Sequence, residues 1–313
     1  GNNQIIKVDV PLIQLATMTE VVAGAPNGSK YRRPDGDAPG DQFRLYEVAG
    51  MPHNDSRENP TYQPDPCEMP VTQFYACEVN ENNSLIRGGG AQDNGTQYTL
   101  TGATDDWNSI WGGDGFQTLV DPVNGITYAE YQYGGLNTGT NGVDPLDRFN
   151  WNTPLAFNPG SYNTIYLGAN RLYVSHDFGA NWQSISADLT DHTLTGYPIT
   201  WGTITTIAVA PSDTNVIYCG TDDGNVWVTT DHGNNWSPVD PITTIRWVTR
   251  LSVDPHNAAI VYVTLSGYRF NDPVAHVYRS SDFGQHWNAI DGNLPDVPCN
   301  DIIPDADHDS TLY

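Results

Sequence analysis

Positive charge is scarce in this chain. Thirteen Lys and Arg stand against 37 Asp and Glu, a formal net charge of −24 at pH 7, which excludes a nucleic-acid backbone as partner because nothing could neutralise its phosphates. Lys7 and Lys30 supply the only ammonium groups. Such a surface favours solubility and a neutral or cationic partner. Methionine is nearly missing, with 3 in 313 residues, and no long segment spaces apolar residues at the helical period. No apolar run approaches the roughly 20 residues that span a bilayer, and "AAIVYVTL" reads as a strand. The opening "GNNQIIKVDV" lacks a charged start, an apolar stretch and a small-residue cleavage site, so it shows no signal peptide. That is compatible with a chain that begins after one. Cys67, Cys77, Cys219 and Cys299 allow three pairings, of which only Cys67 with Cys77 is close in sequence. Free buried thiols and a single disulfide both fit this usage.

What the chain has in quantity is 22 Pro, 30 Gly, 17 Tyr and 9 Trp, the composition of many short strands and turns. One phrase occurs three times: "LYVSHDFGANW" (172–182), "VWVTTDHGNNW" (226–236) and "VYRSSDFGQHW" (277–287). Its shared residues are Ser175, Asp177, Gly179 and Trp182; Thr229, Asp231, Gly233 and Trp236; and Ser280, Asp282, Gly284 and Trp287. The aspartates lie 54 and 51 residues apart, and a fixed period of that size marks units that bury their apolar faces by stacking on neighbours.

A second segment recurs upstream of each phrase: an apolar residue, a Pro-containing turn, then a short apolar strand containing Tyr. It stands at "FNPGSYNTIYLG" (157–168), "VAPSDTNVIYCG" (209–220) and "VDPHNAAIVYV" (253–263), with relatives at "VDPVNGITYAE" (120–130), "IIPDADHDSTLY" (302–313) and "CEVNENNSLIRGG" (77–89). Each unit therefore reads as four antiparallel strands in about 40 to 50 residues, the size of a propeller blade. In the phrase, the Asp carboxylate accepts backbone N–H groups of the turn, the Gly takes a positive φ, and the Trp is expected to lie against the next blade.

On these phrases, residues 71–313 resemble the Asp-box β-propellers, the group that includes sortilin-type domains and bacterial secreted proteins with BNR repeats. "GGAQDNGT" (89–96), "WGGDGF" (111–116), "YGGL" (133–136), "ISADLT" (185–190) and "GNLPDVPCNDI" (292–302) are similar to the large bacterial branch. The resemblance implies an all-β fold, with about five to six blades visible and the last one cut short, in a protein placed outside the cell, in the periplasm or at the cell surface. It says little about function, because propellers host many.

Residues 1–70 follow another pattern. "VPLIQLATMTEVV", a polar loop, and "QFRLYEVAGMPHND" give an apolar strand ending in an acid and, about thirty residues on, another ending in Gly-x-x-His. This resembles the later part of a bacterial α/β-hydrolase domain in which "fRLWEVAGtaH" recurs. Carried over by position, Glu20 is the triad acid and His53 the triad base, in the Ser…Asp/Glu…His order of that fold. No Gly-x-Ser-x-Gly stands upstream or elsewhere. An ordinary loop histidine is the other reading of His53. With the join near "DPCEMPVTQFYACEV" abrupt and "DSTLY" in mid-blade, a fragment or composite of something longer is expected.

Chemistry within the propeller is weakly signalled. Asp93 in "QDNGT" and Asp114 in "GGDGF" sit in Gly-flanked turns and could form a carboxylate pair of the kind glycosidases hold about 5 to 9.5 Å apart; turn formation is the alternative. The catalytic segments of xyloglucan-active propellers do not match this chain, and the eleven Arg lack the clustering of a sialidase. The aromatics of "YAEYQYGGL" (128–136) and "GYRF" (267–270) read either as sugar-stacking surfaces or as core and rim. No cofactor is implied, although the acidic loops "HNDSRE" and "DADHDS" could hold Ca²⁺ through oxygen ligands. The reading is a secreted, non-catalytic propeller for protein or glycan interaction. Its alternatives are a glycoside hydrolase, or part of a serine hydrolase whose nucleophile lies outside the chain.

Overall fold

A computed structural model describes the backbone of residues 12–17, 36–38 and 41–48, and residues 74–313 except 92–93, 104–105, 111, 192–200, 242–244 and 309–310. The chain divides into two compact units, Gly1–Phe74 with Ala91–Asn94, and Tyr75–Gly90 with Gly95–Tyr313. The first holds a three-stranded sheet of β1 (Leu12–Thr17), β2 (Gly36–Ala38) and β3 (Asp41–Val48) in the order β1-β3-β2. β1 runs parallel to β3, with Leu12 opposite Phe43 and Thr17 opposite Val48, while β2 is antiparallel to β3. This mixed pairing differs from a propeller blade, which is antiparallel throughout. Glu20 and His53 lie outside the described residues.

The second unit is an Asp-box β-propeller. Blade 1 comprises β4 (Phe74–Val79), β5 (Arg87–Ala91), β6 (Gly95–Thr99) and β7 (Asn108–Ser109); blade 2 is three-stranded, from β8 (Gly115–Val120), β9 (Thr127–Tyr131) and β10 (Gly135–Leu136). Blade 3 has β11 (Leu155–Asn158), β12 (Ser161–Gly168), β13 (Leu172–Ser175) and β14 (Gln183–Ser184). Blade 4 has β15 (Ile204–Val209), β16 (Ile217–Thr221), β17 (Val226–Thr229) and β18 (Ser237–Pro238). Blade 5 has β19 (Trp247–Val253), β20 (Val261–Ser266), β21 (His276–Ser280) and β22 (Trp287–Ala289). Within each blade the strands pair in chain order, and beyond blade 5 an antiparallel bridge joins Pro304 to Leu312.

The upstream recurring segment makes the turn from first to second strand, and a side chain locks it. Oδ1 of Asn80, Asp121, Asp254 and Asp305 each accepts two successive backbone N–H groups, at 2.7 to 3.1 Å. The first three are buried, so the sequence recurs here because a buried turn needs a built-in acceptor. The tyrosines that follow, Tyr128, Tyr166, Tyr218 and Tyr262, are all buried.

The core is a chain of clusters between neighbouring blades. Tyr166, Leu172 and Leu189 of blade 3 and its exit pack with Ile204, Ile217 and Cys219 of blade 4. Val226 and Val239 of blade 4 and its exit pack with Val248, Val263 and Leu265 of blade 5. Glycine lets the blades close up at one point each: a Cβ on Gly220 would stand 2.4 Å from Val248 Cγ1, and one on Gly168 would stand 2.9 Å from Ile204 Cγ2.

Candidate functional site

The residues that recur most visibly turn out to be spent on structure. In the third box, the Ser280 hydroxyl, fully buried, donates to Asp282 Oδ1 (2.8 Å) and accepts the Gly284 N–H (2.9 Å). Asp282 in turn accepts the His286 N–H at 2.9 Å and pairs with His286 Nδ1 at 2.6 Å. Boxes one and two repeat the pattern with Ser175, Asp177 and Asn181, and with Thr229, Asp231 and Asn235. Bonds from the Asn181 side chain and backbone hold the Asp177 carboxyl down at about 2, and bonds from His286 do the same for Asp282. Gly179, Gly233 and Gly284 take φ of 79°, 89° and 83°.

The tryptophans correct one expectation. They face the preceding blade, not the next: Trp182 Nε1 donates to Gly139 O (3.2 Å), Trp236 Nε1 to Ile185 O (2.9 Å) and Trp287 Nε1 to Val239 O (2.7 Å). The box turn folds back over the outer edge it has just left, so its indole reaches the chain that exited the blade before. A Cβ on Gly284 would likewise meet Val239 at 2.8 Å.

The expected carboxylate pair falls only half within the described residues. Asp114 is bonded by Gln132 Nε2 at 2.6 Å, and Asp93 lies outside them. Of the two aromatic stretches, Tyr128 and Leu136 belong to the core, Tyr131 packs on Gly113, and Tyr133 is exposed at a positive φ of 59°. "GYRF" forms a 3₁₀ turn over Tyr268–Phe270 in which Arg246 lies over the Phe270 ring at 5.4 Å. "HNDSRE" lies outside the described residues. In "DADHDS", Asp305 is occupied by its own turn and by the Tyr313 hydroxyl (2.9 Å), and among the described residues no group of three metal-ligating side chains occurs.

A cavity of about 650 Å³ opens where the first strands of the blades converge. β4 contributes Tyr75, Cys77 and Glu78; β8 contributes Gln117; the approach to β11 gives Asn150 and Asn152; β15 gives Thr205; β19 gives Trp247, Thr249 and Arg250; and Asn300 and Asp301 complete the wall. The walls are tied to one another. Thr205 Oγ1 donates to Val248 O (2.6 Å), Thr249 Oγ1 to Cys299 O (3.2 Å), and Asn150 Nδ2 to Thr203 Oγ1 (2.9 Å). Arg250 grips Asp301 with two bonds, Nε to Oδ1 at 2.7 Å and an Nη2 bond to Oδ2 at 3.1 Å.

Two acids missed in the sequence have the strongest environments. Burial, reinforced by the Glu81 carboxylate, pushes the Glu78 carboxyl up to about 7. Glu130 in β9 is fully buried and accepts the Gly134 N–H at 3.3 Å on Oε1, with hydrogen bonds from Thr153 and Gln117 also acting on its carboxyl. Burial pushes it up to about 9. It stands inside "YAEYQYGGL"; a lone acid in a strand otherwise made of Thr, Tyr and Ala is the signal that could have exposed it.

Residues 170–304 match the family model of sortilin, neurotensin receptor 3. Residues 2–87 match that of an alpha/beta hydrolase domain, a match that runs through β4 and reaches the start of β5. Solved structures similar to the chain include an ancestral GH74 enzyme (18% identity, TM-score 0.39, covering 70% of this chain and 24% of that one). The GH74 enzyme of Niastella koreensis (20%, 0.38, 68% and 28%) and the GH74 xyloglucanase of Xanthomonas campestris (19%, 0.37, 68% and 29%) are others. The chain thus spans 24% to 29% of the length of these enzymes. No curated protein matches it.

Proposed function

We propose that residues 71–313 are a non-catalytic β-propeller of a secreted or cell-surface protein that holds a protein or glycan ligand at the central cavity, and that residues 1–70 are a hydrolase-like segment. The observation that carries this reading is the division of labour between box and cavity. The repeated boxes are consumed by turn locks and blade contacts, whereas the cavity wall, apart from a threonine that recurs as Thr205 and Thr249, draws different polar residues from the inner strands and the segments beside them. A concave, partly polar site of this size is where a ligand is expected. No helix among the described residues is long and apolar enough to cross a membrane, which suits such a partner but leaves location to the resemblance. Calorimetric titration with candidate glycans and peptides, beside chromatography of the same mixtures, tests the reading: a ligand should bind saturably and be recovered intact, and turnover of it would count against the first reading.

One observation favours a hydrolytic alternative. Glu78 keeps its proton close to neutral pH inside the cavity, as a general acid acting on a glycosidic oxygen must. In that case β-glucans or related polysaccharides are cleaved and Glu78→Gln abolishes cleavage without unfolding the chain. The match of residues 2–87 supports a different one, in which Glu20 and His53 serve as acid and base to a nucleophile supplied from outside this chain. Ester hydrolysis by the chain alone is then absent.

A further inference from the structure

The chain carries a formal net charge of −24 at pH 7, yet its cavity is close to electrically balanced. Its charged lining residues are Glu78, Arg250 and Asp301, and the last two neutralise each other through two hydrogen bonds. Glu78, at about 7, is only partly ionised at neutral pH. A cationic peptide would therefore find little charge to pair with, and an anionic one would find its only guanidinium already engaged. What remains in the wall is amide and hydroxyl chemistry, from Gln117, Asn150, Asn152 and Asn300. Asn152 Oδ1 is buried and has no partner among the described residues, an acceptor left for a donor that they do not supply.

Aromatic rings stand at the same place on several blades. Tyr75 near the start of β4 and Trp247 at the start of β19 line the cavity, and Phe116 near the start of β8 stacks on Tyr75 with ring centroids 4.7 Å apart. Trp151, ahead of β11 and 41% exposed, sits edge-on to Phe116 at 5.2 Å and to Tyr75 at 6.3 Å. Arg269 lies 4.7 Å over the Trp247 ring, which holds that indole in a fixed plane. Held aromatic faces beside amides, with the local charge cancelled, match a ligand that has apolar C–H faces and a rim of uncharged hydroxyls.

We infer that the central cavity is a binding site for a neutral, hydroxyl-rich oligosaccharide, with Tyr75 and Trp247 as stacking platforms and the Asn152 carbonyl as an acceptor for a sugar hydroxyl. This rests on the reading of the propeller as an interaction module and narrows its ligand class. The experiment is titration calorimetry of the full chain with neutral gluco-, manno-, xylo- and galactohexaoses in both linkage types, alongside a hexalysine peptide and a hexagalacturonate. At least one neutral hexaose should bind saturably, and Trp247→Ala should weaken it by tenfold or more. Asn152→Leu, which keeps the side-chain volume and removes its hydrogen bonds, should do the same with the melting temperature unchanged, so the result does not depend on the tryptophan variant folding. Sugar binding that survives both variants would overturn the placement in this cavity. Binding of the charged peptide or hexagalacturonate instead of any neutral hexaose, lost in the same variants, would overturn the ligand class while the interaction reading stands. No saturable binding of any probe would overturn both.

Discussion

The box hairpins and the wall of the cavity are built by the same blades, yet they use sequence in opposite ways. At each box, the same hydroxyl, carboxylate, glycine and indole occupy the same four places, and the bonds they make differ by no more than a few tenths of an ångström between copies. At the cavity, blade by blade, the lining holds Tyr75 and Glu78, Gln117, Asn152, Thr205, and Trp247 with Thr249 and Arg250, so that one threonine recurs and the rest differ. A repeated unit must solve the same packing problem once per blade, so whatever recurs answers to the fold. A ligand touches several blades at once, so the residues that meet it are under no demand to recur.

The comparison can be broken by variants placed on either side of it. The largest effect is expected at a box tryptophan: Trp182→Ala removes a nearly buried indole and its bond to Gly139 O. That should cost about 3 to 5 kcal/mol in denaturant unfolding, with ligand binding falling only as folded protein is lost. Retained stability with lost binding would move the box to the functional side.

Glu130 stands apart from both groups, and its effect is of the opposite sign. A carboxyl raised to about 9 when folded, against an ordinary 4.5, binds a proton on folding between those values. Its stabilising contribution is complete below about pH 4.5 and is lost as pH rises toward 9. Glu130→Gln should therefore stabilise the chain by roughly 3 kcal/mol at pH 7 and by little at pH 4. Equal melting temperatures of the two proteins across that range would rule the buried neutral acid out.

Smaller again is Ser280→Ala, which leaves the Gly284 N–H and one lone pair of Asp282 without their buried partner. About 1 to 3 kcal/mol should be lost, seen as a lower denaturant midpoint at unchanged slope. Glu78→Gln in the cavity acts in the same direction as Glu130→Gln, because a carboxyl raised to about 7 from an ordinary 4.5 costs stability at neutral pH, an effect reduced here by its partial exposure. Its melting temperature should lie above that of the parent at pH 7 and match it at pH 4, while affinity for the bound ligand changes. A large loss of stability would mean that the cavity wall, like the box, serves the fold.

How much of this was legible follows from how far apart the cooperating residues lie. The box was readable because its parts fall within eight residues, from Ser280 to Trp287, and each has one local task. The direction of the indole was not, since spacing along one strand says nothing about which neighbour the turn leans on. The parallel register of β1 and β3 agrees with two apolar segments separated by a polar loop. The cavity was invisible because it takes one to four residues from each of five strands between Tyr75 and Arg250, with Asn150 and Asn152 between them and Asn300 and Asp301 beyond. Glu130 was overlooked because burial of an acid is a property of its surroundings in space, and a strand of threonine, tyrosine and alanine reads as packing.

The backward reach of the box tryptophans gives the blades an order in time. Each indole closes on a carbonyl 43, 51 or 48 residues earlier in the chain. A blade whose own strands are all paired therefore still has an unsealed outer flank until most of the following blade has left the ribosome. At about 5 to 20 residues per second, that is a wait of roughly 2 to 10 seconds during synthesis, in which the newest blade is always the one most open to a protease or a chaperone.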